Sequence, residues 1–389
     1  MDQDEMRDIK NVMLYWMEGE IANFIKVWLT VHISLLYCYL AAKIVPKGIP
    51  RLLIFLPVLC LFIALPLKLH SLHLGITSAF FVAWLANFKL IMFAFHLGPL
   101  SDPSISLPRF LAIASLPIRI QSNQTNPSEV SVKSDQKSVP NAKSSKKVGQ
   151  KSILNYAVKG IILASMIRLY DYSEFIHPFI ICIMYCFHIY IALEIILAIV
   201  ATIARVTLGA ELEPTFKEPL LSTSLQDFWG RRWNIMVTRV LRPTVYEPVH
   251  KLSAKVLGRE LAPVPAVFST FVVSALMHEL IFYYMGRTWP TWRATWFFLL
   301  HGACLVVEIA VKRIVNDRWR LPRFVATGLV FLFVMVTGLW LFLPEMLRHN
   351  ADVRAFEEYA ALGAFVRDVS RALDMIQPSN STTYTSRAS

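Results

Sequence analysis

The sequence predicts an all-α, polytopic membrane protein. Of its 389 residues, 55% are hydrophobic and only 17% are charged, whereas soluble domains carry roughly a quarter charged residues. Several apolar stretches are close to the roughly 20 residues that cross a bilayer as a helix. These observations predict a fold of about eight or nine transmembrane helices.

Eight apolar stretches are long enough to span a membrane. They are residues 24–42, 52–67, 74–95, 153–169, 176–204, 264–285, 294–311 and 324–343. A possible ninth, residues 107–118, is too short to cross and predicts a re-entrant or interfacial segment. No cleavable signal peptide is expected, because the first residues are polar and the first apolar run has the length of a span.

The segments between and after the spans differ in composition. Residues 119–152 are rich in Ser, Lys, Asn and Gln, which predicts a disordered cytosolic insert. Residues 205–263 place Trp229 and Trp233 at helical spacing among arginines, after a helix-start signal at Ser224, which predicts an amphipathic interfacial helix. After the main domain, residues 1–345, the stretch 346–389 predicts a short amphipathic helix and a disordered tail.

The charge distribution predicts orientation and partners. Loops 43–51, 96–152, 205–263 and 312–323 hold 25 of the 39 basic residues, so the positive-inside rule places them in the cytosol and both termini in the lumen. The net charge of +12 comes without a nucleic-acid-binding motif. The expected partners are therefore membrane lipids and an anionic cytosolic substrate, not nucleic acid. The five cysteines all fall within spans, and neither a disulfide framework nor a metal site is expected.

His278 and Glu279 form an ionisable pair inside the apolar stretch 264–285. Such groups are costly at membrane depth and usually face a cavity or a partner. A buried imidazole favours its uncharged form and can accept a proton from an alcohol. On the next span, His301 and Glu308 share a helix face. A role in hydrogen bonding between helices stays open for each of them.

Missing motifs narrow the chemistry. The chain has no G-x-S-x-G, phosphate-binding loop, dinucleotide fingerprint or HExxH motif, which argues against serine-hydrolase, nucleotide-driven and zinc-protease functions. A rival hypothesis is a lipid or ion transporter with His278, Glu279, His301 and Glu308 as a polar pathway. The paired interrupted helices typical of many transporters are not found in the sequence.

The motifs DFWGRRWN (227–234), RPTVYEP (242–248), SALMHELIFYY (274–284) and PTWRATWFFLLHG (290–302) resemble the plant wax synthases. That family belongs to the membrane-bound O-acyltransferases, and the resemblance covers residues 21–342. It implies an enzyme of the endoplasmic reticulum whose helices enclose a reaction chamber at membrane depth. The implied reaction transfers an acyl group from acyl-CoA to a lipid hydroxyl, without a resident cofactor.

The resemblance also implies site residues. His278 corresponds to the family's catalytic histidine, and Asn234 corresponds to the asparagine that ends its W-N motif. Contacts with the substrates are expected from Trp229, Trp233, Arg231, Arg232, Glu279 and His301. Wax esters of long-chain alcohols are the first expected product. Sterol esters, and acetyl transfer to diacylglycerol, stay open as alternatives, as do acyl chain length and oligomeric state.

Overall fold

The computed structural model describes residues 19–120, 142–209, 212–315 and 321–376. These residues are mainly helical, with one isolated antiparallel bridge between Ile120 and Leu212. The main helices are α1 Glu20–Ile44, α2 Ile49–Lys68, α3 Leu72–Ala94, α4 Leu107–Ser115, α5 Ala142–Leu169, α6 Pro178–Leu208, α7 Ile235–Leu241, α8 Glu247–Val256, α9 Pro263–Gly286, α10 Arg293–Val315, α11 Arg323–Leu347 and α12 Ala351–Ile376. Short helical turns lie at Pro99–Ser101, Tyr170–Phe175, Pro219–Leu221 and Leu225–Asp227.

The predicted all-α, multi-pass architecture is confirmed. Within the described part of the chain, seven helices are long and apolar enough to cross a membrane, namely α1, α2, α3, α6, α9, α10 and α11. The predicted fourth span, residues 153–169, lies within α5. The short apolar segment forms α4, which at nine residues is about 14 Å long and cannot cross a bilayer.

Helix α3 lies at the centre of the bundle. Its apolar window is 78% buried, against at most 39% for any of the other six spans. The Asn87 side-chain amide donates to the carbonyls of Leu59 and Ala83 at 3.3 and 3.1 Å. Lys89 donates to the Ile113 and Leu116 carbonyls at 2.6 and 2.5 Å, so its charge meets the negative end of the α4 dipole. Asn87 and Lys89 thus link this buried helix to α2 and α4.

The loops collect on two opposite faces. On one, which we call the loop face, the backbone N–H of Gly48 donates to the Ala94 carbonyl at 2.7 Å. The backbone N–H of Glu213 donates to the Arg119 carbonyl at 2.9 Å on the same face. Arg313 reaches the Glu260 carbonyl there at 2.6 Å. On the opposite face, Glu20 accepts the His70 N–H at 2.7 Å. The described parts of the four basic loops therefore share one face, and α1 begins on the other.

Both ends of the insert predicted to be disordered over residues 119–152 are ordered. Residues 142–152 form the first turns of α5, and residue 120 pairs with Leu212. The Lys, Gln and Ala residues of this stretch are good helix formers, and extending a helix that already exists costs little. The rest of the predicted insert, residues 121–141, lies outside the described residues.

The prediction of one continuous amphipathic helix after Ser224 is wrong. Ser224 does begin a helix, since its hydroxyl accepts the Asp227 N–H at 3.0 Å, but the helix breaks at Trp233 and Asn234. Asn234 has a left-handed backbone (φ 34°), which asparagine tolerates better than most residues. The Ile235 N–H donates to the Thr215 carbonyl at 2.8 Å instead of continuing a helix. The arginines and tryptophans therefore do not lie on one helical stripe.

The C-terminal helix α12 has 26 residues, which is longer than predicted. Residues 1–18 and residues 377–389, which include the predicted disordered tail 379–389, lie outside the described part of the chain.

Candidate active site

A cavity of about 710 Å³ runs through the bundle beside α3 and α9. Along α9 its lining extends from Pro263 to Met285, which at 1.5 Å per residue is about 33 Å and close to the thickness of a bilayer core. Other lining residues come from the Trp–Asn loop, α3, α6, α10 and α11, and include Trp84, Leu193, Trp229, Arg231, Trp233, Asn234, Arg242, Ser274, His278, Phe298, Arg313, Phe342 and Met346. The cavity therefore joins the loop face to membrane depth.

His278 lies on this cavity about 22 Å from Pro263 along α9. Its Nδ1 is 2.7 Å from the Ser274 carbonyl oxygen. A carbonyl can only accept, so Nδ1 carries the proton and Nε2 has the free lone pair. Among the described residues nothing hydrogen-bonds Nε2. The arrangement holds one imidazole with its basic nitrogen available.

Aromatic rings fix the orientation of the His278 ring. Phe298 lies 4.2 Å away between ring centroids, Trp84 lies at 5.1 Å edge to face, and Phe342 lies at 5.8 Å. Trp84 sits in a π-helical segment of α3, Ala79–Ala86, and Phe342 sits in another, Gly338–Phe342. Such segments are frequent at functional sites. They bring these rings to the cavity without ending the spans.

Asn234 lines the same cavity as His278. Its side chain is 8% exposed, and its Oδ1 has no hydrogen-bond partner among the described residues. Buried amides are rarely left unsatisfied in proteins. The left-handed backbone and the unsatisfied side-chain oxygen together mark Asn234 as a strained position beside the cavity.

Trp233 separates the large cavity from a smaller, apolar one. Its indole stacks on Phe228 at 5.4 Å and on Tyr190 of α6 at 5.9 Å. The second cavity, of about 180 Å³, lies between α6 and α11, and both Trp233 and His278 line it. Two separate spaces therefore meet at the histidine.

Trp229 is held by the histidine of the next helix. Its indole N–H donates to His301 Nδ1 at 3.1 Å, and His301 Nε2 is 2.9 Å from the Thr337 hydroxyl. Since the indole can only donate, Nε2 carries the proton of His301. His301 has no exposed surface and does not line the cavity. The expectation that it contacts substrate is wrong, because both of its ring nitrogens bind protein groups; it fixes Trp229, which does line the cavity.

Glu279 also lies away from the cavity. One carboxylate oxygen accepts the backbone N–H and the hydroxyl of Thr295, both at 2.9 Å, at the start of α10. The expectation of a substrate contact is wrong here too, because Glu279 points from α9 toward α10. Glu308 accepts the Leu225 N–H at 2.7 Å. The four side chains of the transporter hypothesis therefore do not form one connected polar pathway, since His278, Glu279, His301 and Glu308 each bind a different protein group.

The arginines at positions 231–242 on the loop face differ in whether they form an ion pair. Arg232 pairs with Asp227 at 2.7 Å and Arg239 with Glu213 at 3.2 Å. Arg242 lies 3.7 Å from Glu247. Arg231 is exposed, lines the mouth of the large cavity, and has no ion pair within the described residues. Arg232 borders only a neighbouring surface basin. Arg231 is therefore the arginine best placed for an anion entering the cavity.

Comparison with known proteins identifies the family. A sequence profile of the Membrane bound O-acyl transferase family matches residues 212–300, which include Asn234 and His278. Acyl-CoA–sterol O-acyltransferase 1 of Arabidopsis thaliana is 49% identical over 355 residues, 91% of this chain and 99% of that protein. The chain belongs to the membrane-bound O-acyltransferases. It is an acyltransferase, as the sequence predicted.

Two further relatives of this membrane-bound O-acyltransferase carry a different acceptor in their names. The long-chain-alcohol O-fatty-acyltransferase of Simmondsia chinensis is 42% identical over 89% of this chain and 96% of its own length. A probable long-chain-alcohol O-fatty-acyltransferase 1 of Arabidopsis thaliana is 44% identical over 88% and 96%. The predicted resemblance to wax synthases is confirmed, and the sterol-named relative stands beside it.

Three contributors to the site were missed by the sequence analysis. Trp84, Phe298 and Phe342 all lie in apolar runs, where nothing distinguishes a ring that faces the cavity from one that faces lipid. Two of them carried a signal, because Phe298 stands in the motif PTWRATWFFLLHG (290–302) and Trp84 begins the segment WLANFKLIMFAF (84–95), which also resembles the wax synthases.

Proposed function

We propose that the protein transfers a fatty acyl group from acyl-CoA to the hydroxyl of a membrane-dissolved alcohol, with His278 as general base. The observation that carries the proposal is the His278 ring, whose Nδ1 is bound to Ser274 and whose Nε2 is free in a cavity shared with Asn234. A free imidazole nitrogen at this depth has little structural use, since lone polar atoms are costly in an apolar bundle.

The chemistry needs few groups. His278 Nε2 takes the alcohol proton while the alcohol oxygen bonds to the thioester carbon. The carbon–sulfur bond then breaks, and the proton passes to the departing CoA sulfur. The Asn234 amide donates to the thioester oxygen, on which negative charge develops. Because a thioester is already activated, the proposed reaction uses no metal or resident cofactor, and the site has mainly to position the reactants and exclude water.

A sterol is the acceptor we infer first. The sterol-named relative is 49% identical to this chain, against 42% and 44% for the two long-chain-alcohol relatives. The two cavities meeting at His278 offer separate space for an acyl chain and for an apolar acceptor. Long-chain alcohols, the first expectation from the sequence, are the second candidate and are supported by the names of those two relatives.

A substrate panel tests the proposal. Microsomes containing the full chain are given labelled palmitoyl-CoA or acetyl-CoA with a sterol, hexadecanol or diacylglycerol. We expect palmitoyl-CoA to give the sterol ester at the highest rate and the hexadecyl ester more slowly. A higher rate with hexadecanol would make a long-chain alcohol the first candidate for the acceptor and a sterol the second. Failure to form an ester above empty microsomes with every acceptor would refute the function.

Arg231 is expected to contribute to donor binding. Arg231→Ala should raise the KM for acyl-CoA about tenfold, as loss of one charge-assisted hydrogen bond predicts, with little change in kcat. Arg239→Ala is the matched control, because Arg239 already pairs with Glu213. Initial rates against palmitoyl-CoA concentration measure both. An equal KM for the two variants would remove Arg231 from the donor site.

The acyl-CoA donor also indicates how the protein is oriented in its membrane. CoA is a cytosolic polyanion, and Arg231 stands at the cavity mouth on the loop face. We therefore infer that the loop face is cytosolic, in the endoplasmic reticulum membrane. Because α1 begins on the opposite face beside His70 and α12 also contacts His70, the start of α1 and helix α12 then lie at the lumenal surface.

A further inference from the structure

The C-terminal helix α12 packs behind the residues that line the end of the large cavity remote from the arginines, and none of its own described residues lines the cavity. Residues that line that end belong to one apolar cluster with α12, which contains Ile76, Phe282, Met285, Met346, Ala351, Ala355 and Tyr359. We propose that α12 seals this end against water, and that Glu358 and Tyr359 thereby determine whether the acyl group is transferred to an alcohol or to water. The inference rests on the proposed function and extends it to residues outside the resemblance.

Glu358 fastens α12 to the start of α3. Its carboxylate accepts the backbone N–H groups of Leu72 and of His73, the latter at 2.9 Å, and lies 2.6 Å from His73 Nδ1. The first turn of a helix of this length favours a negative charge. Burial by itself raises the pKa of Glu358, but the hydrogen bonds from His73 and Leu72 outweigh it and lower the pKa. The carboxylate is therefore ionised at neutral pH.

Tyr359 fastens α12 to a second span. Its hydroxyl lies 3.1 Å from His73 Nε2 and 3.0 Å from His188 Nε2 on α6. Arg354 adds a bond of 2.7 Å to the Met285 carbonyl at the end of α9, and Tyr185 of α6 donates to Asp352 at 3.2 Å. The helix is thus bound to α3, α6 and α9 at once. Neither Glu358 nor Tyr359 lines the cavity, so they act through the position of α12.

Water competes directly with the alcohol. If it reaches His278, its oxygen bonds to the thioester carbon, the carbon–sulfur bond breaks, and His278 carries the proton from water to the CoA sulfur. The products are a free fatty acid and CoA. Excluding water is a recognised function of closed active sites. Loosening α12 should therefore shift the products from ester to acid without removing any group that reacts.

The experiment compares both products from one labelled donor. Microsomes with the full chain, Glu358→Gln or Tyr359→Phe are given labelled palmitoyl-CoA and the best acceptor, and free acid and ester are counted together. We expect the acid-to-ester ratio to rise about tenfold in Glu358→Gln, as loss of one or two hydrogen bonds predicts, and less in Tyr359→Phe. Glu357→Gln is the matched control, because Glu357 is the exposed neighbour on the same helix and should leave the ratio unchanged.

A second measurement does not depend on activity. Thr77 lines the cavity beside Ile76, so a Thr77→Cys variant reports access of water-soluble reagents to this end. A charged thiol reagent, followed by mass spectrometry of the Thr77 peptide, should label it faster when Glu358→Gln is added. Unchanged labelling, an unchanged product ratio, or an equal loss of acid and ester in both variants would overturn the proposal. If the unaltered chain forms neither product, the proposed function fails. The labelling of Thr77→Cys still shows whether Glu358 keeps water-soluble reagents out of this end of the cavity.

Discussion

Replacing His278 with alanine is expected to lower ester formation by about two to four orders of magnitude, the usual contribution of a general base. The variant removes the free Nε2 and leaves the Ser274 carbonyl, which can still bond within its own helix. Because His278 is only one of several groups lining the cavity, binding of acyl-CoA should change little. Labelled ester from the substrate panel measures the loss, and a filter-binding assay with acyl-CoA checks the binding.

His32 provides the matched control for His278. It also places Nδ1 2.7 Å from the carbonyl four residues earlier, that of Trp28, but it stands on α1 and does not line the cavity. His32→Ala removes the same helix-bound imidazole from a different place. We expect it to keep nearly full activity. If both variants retained activity, the general-base assignment would be lost.

Substitution of Asn234 is expected to have the second largest effect, about two to three orders of magnitude in kcat, as removal of one donor to a developing oxyanion typically produces. Two explanations exist for an asparagine at this position. One is its backbone, because Asn234 has a φ of 34° that most side chains resist. The other is its amide, which is buried with an unsatisfied oxygen beside the cavity.

Two substitutions separate these explanations. Asn234→Gly adopts the left-handed backbone readily but has no amide, whereas Asn234→Asp keeps the shape and loses the N–H donor. If the amide acts on the thioester, both variants lose activity, and thermal unfolding in detergent shows Asn234→Gly to be folded. Activity near that of the unaltered chain in Asn234→Gly would show that only the backbone matters.

Much of the fold could be predicted because its signals are local. The apolar stretches alone predicted an all-α membrane protein, and each predicted span lies within a helix of the structure apart from at most two residues at its ends. His278 and Asn234 could be singled out by their chemistry and by the family resemblance, and the structure places both on one cavity. Their catalytic roles stay predictions until the substitutions are made.

The roles of the other polar residues in these spans were predicted less well from the sequence. Glu279 follows His278 directly, yet it binds Thr295, because successive helical residues point about 100° apart. His301 was expected to meet substrate and instead binds Trp229 and Thr337. A polar residue in an apolar run signals that it has a partner, but the sequence does not say whether that partner is a substrate or another helix.

The sequence by itself determined the membrane class, the order of the spans, the family and the two polar residues that the proposed chemistry uses, since composition, hydrophobic length and motif are properties of the chain. Only the tertiary structure decided the break at Asn234, the rings around His278, the exposure of Arg231 without an ion pair among the described residues, and the packing of α12 behind the other end of the cavity. These features depend on contacts between residues far apart in sequence, such as Glu358 with His73, which close only when the helices pack.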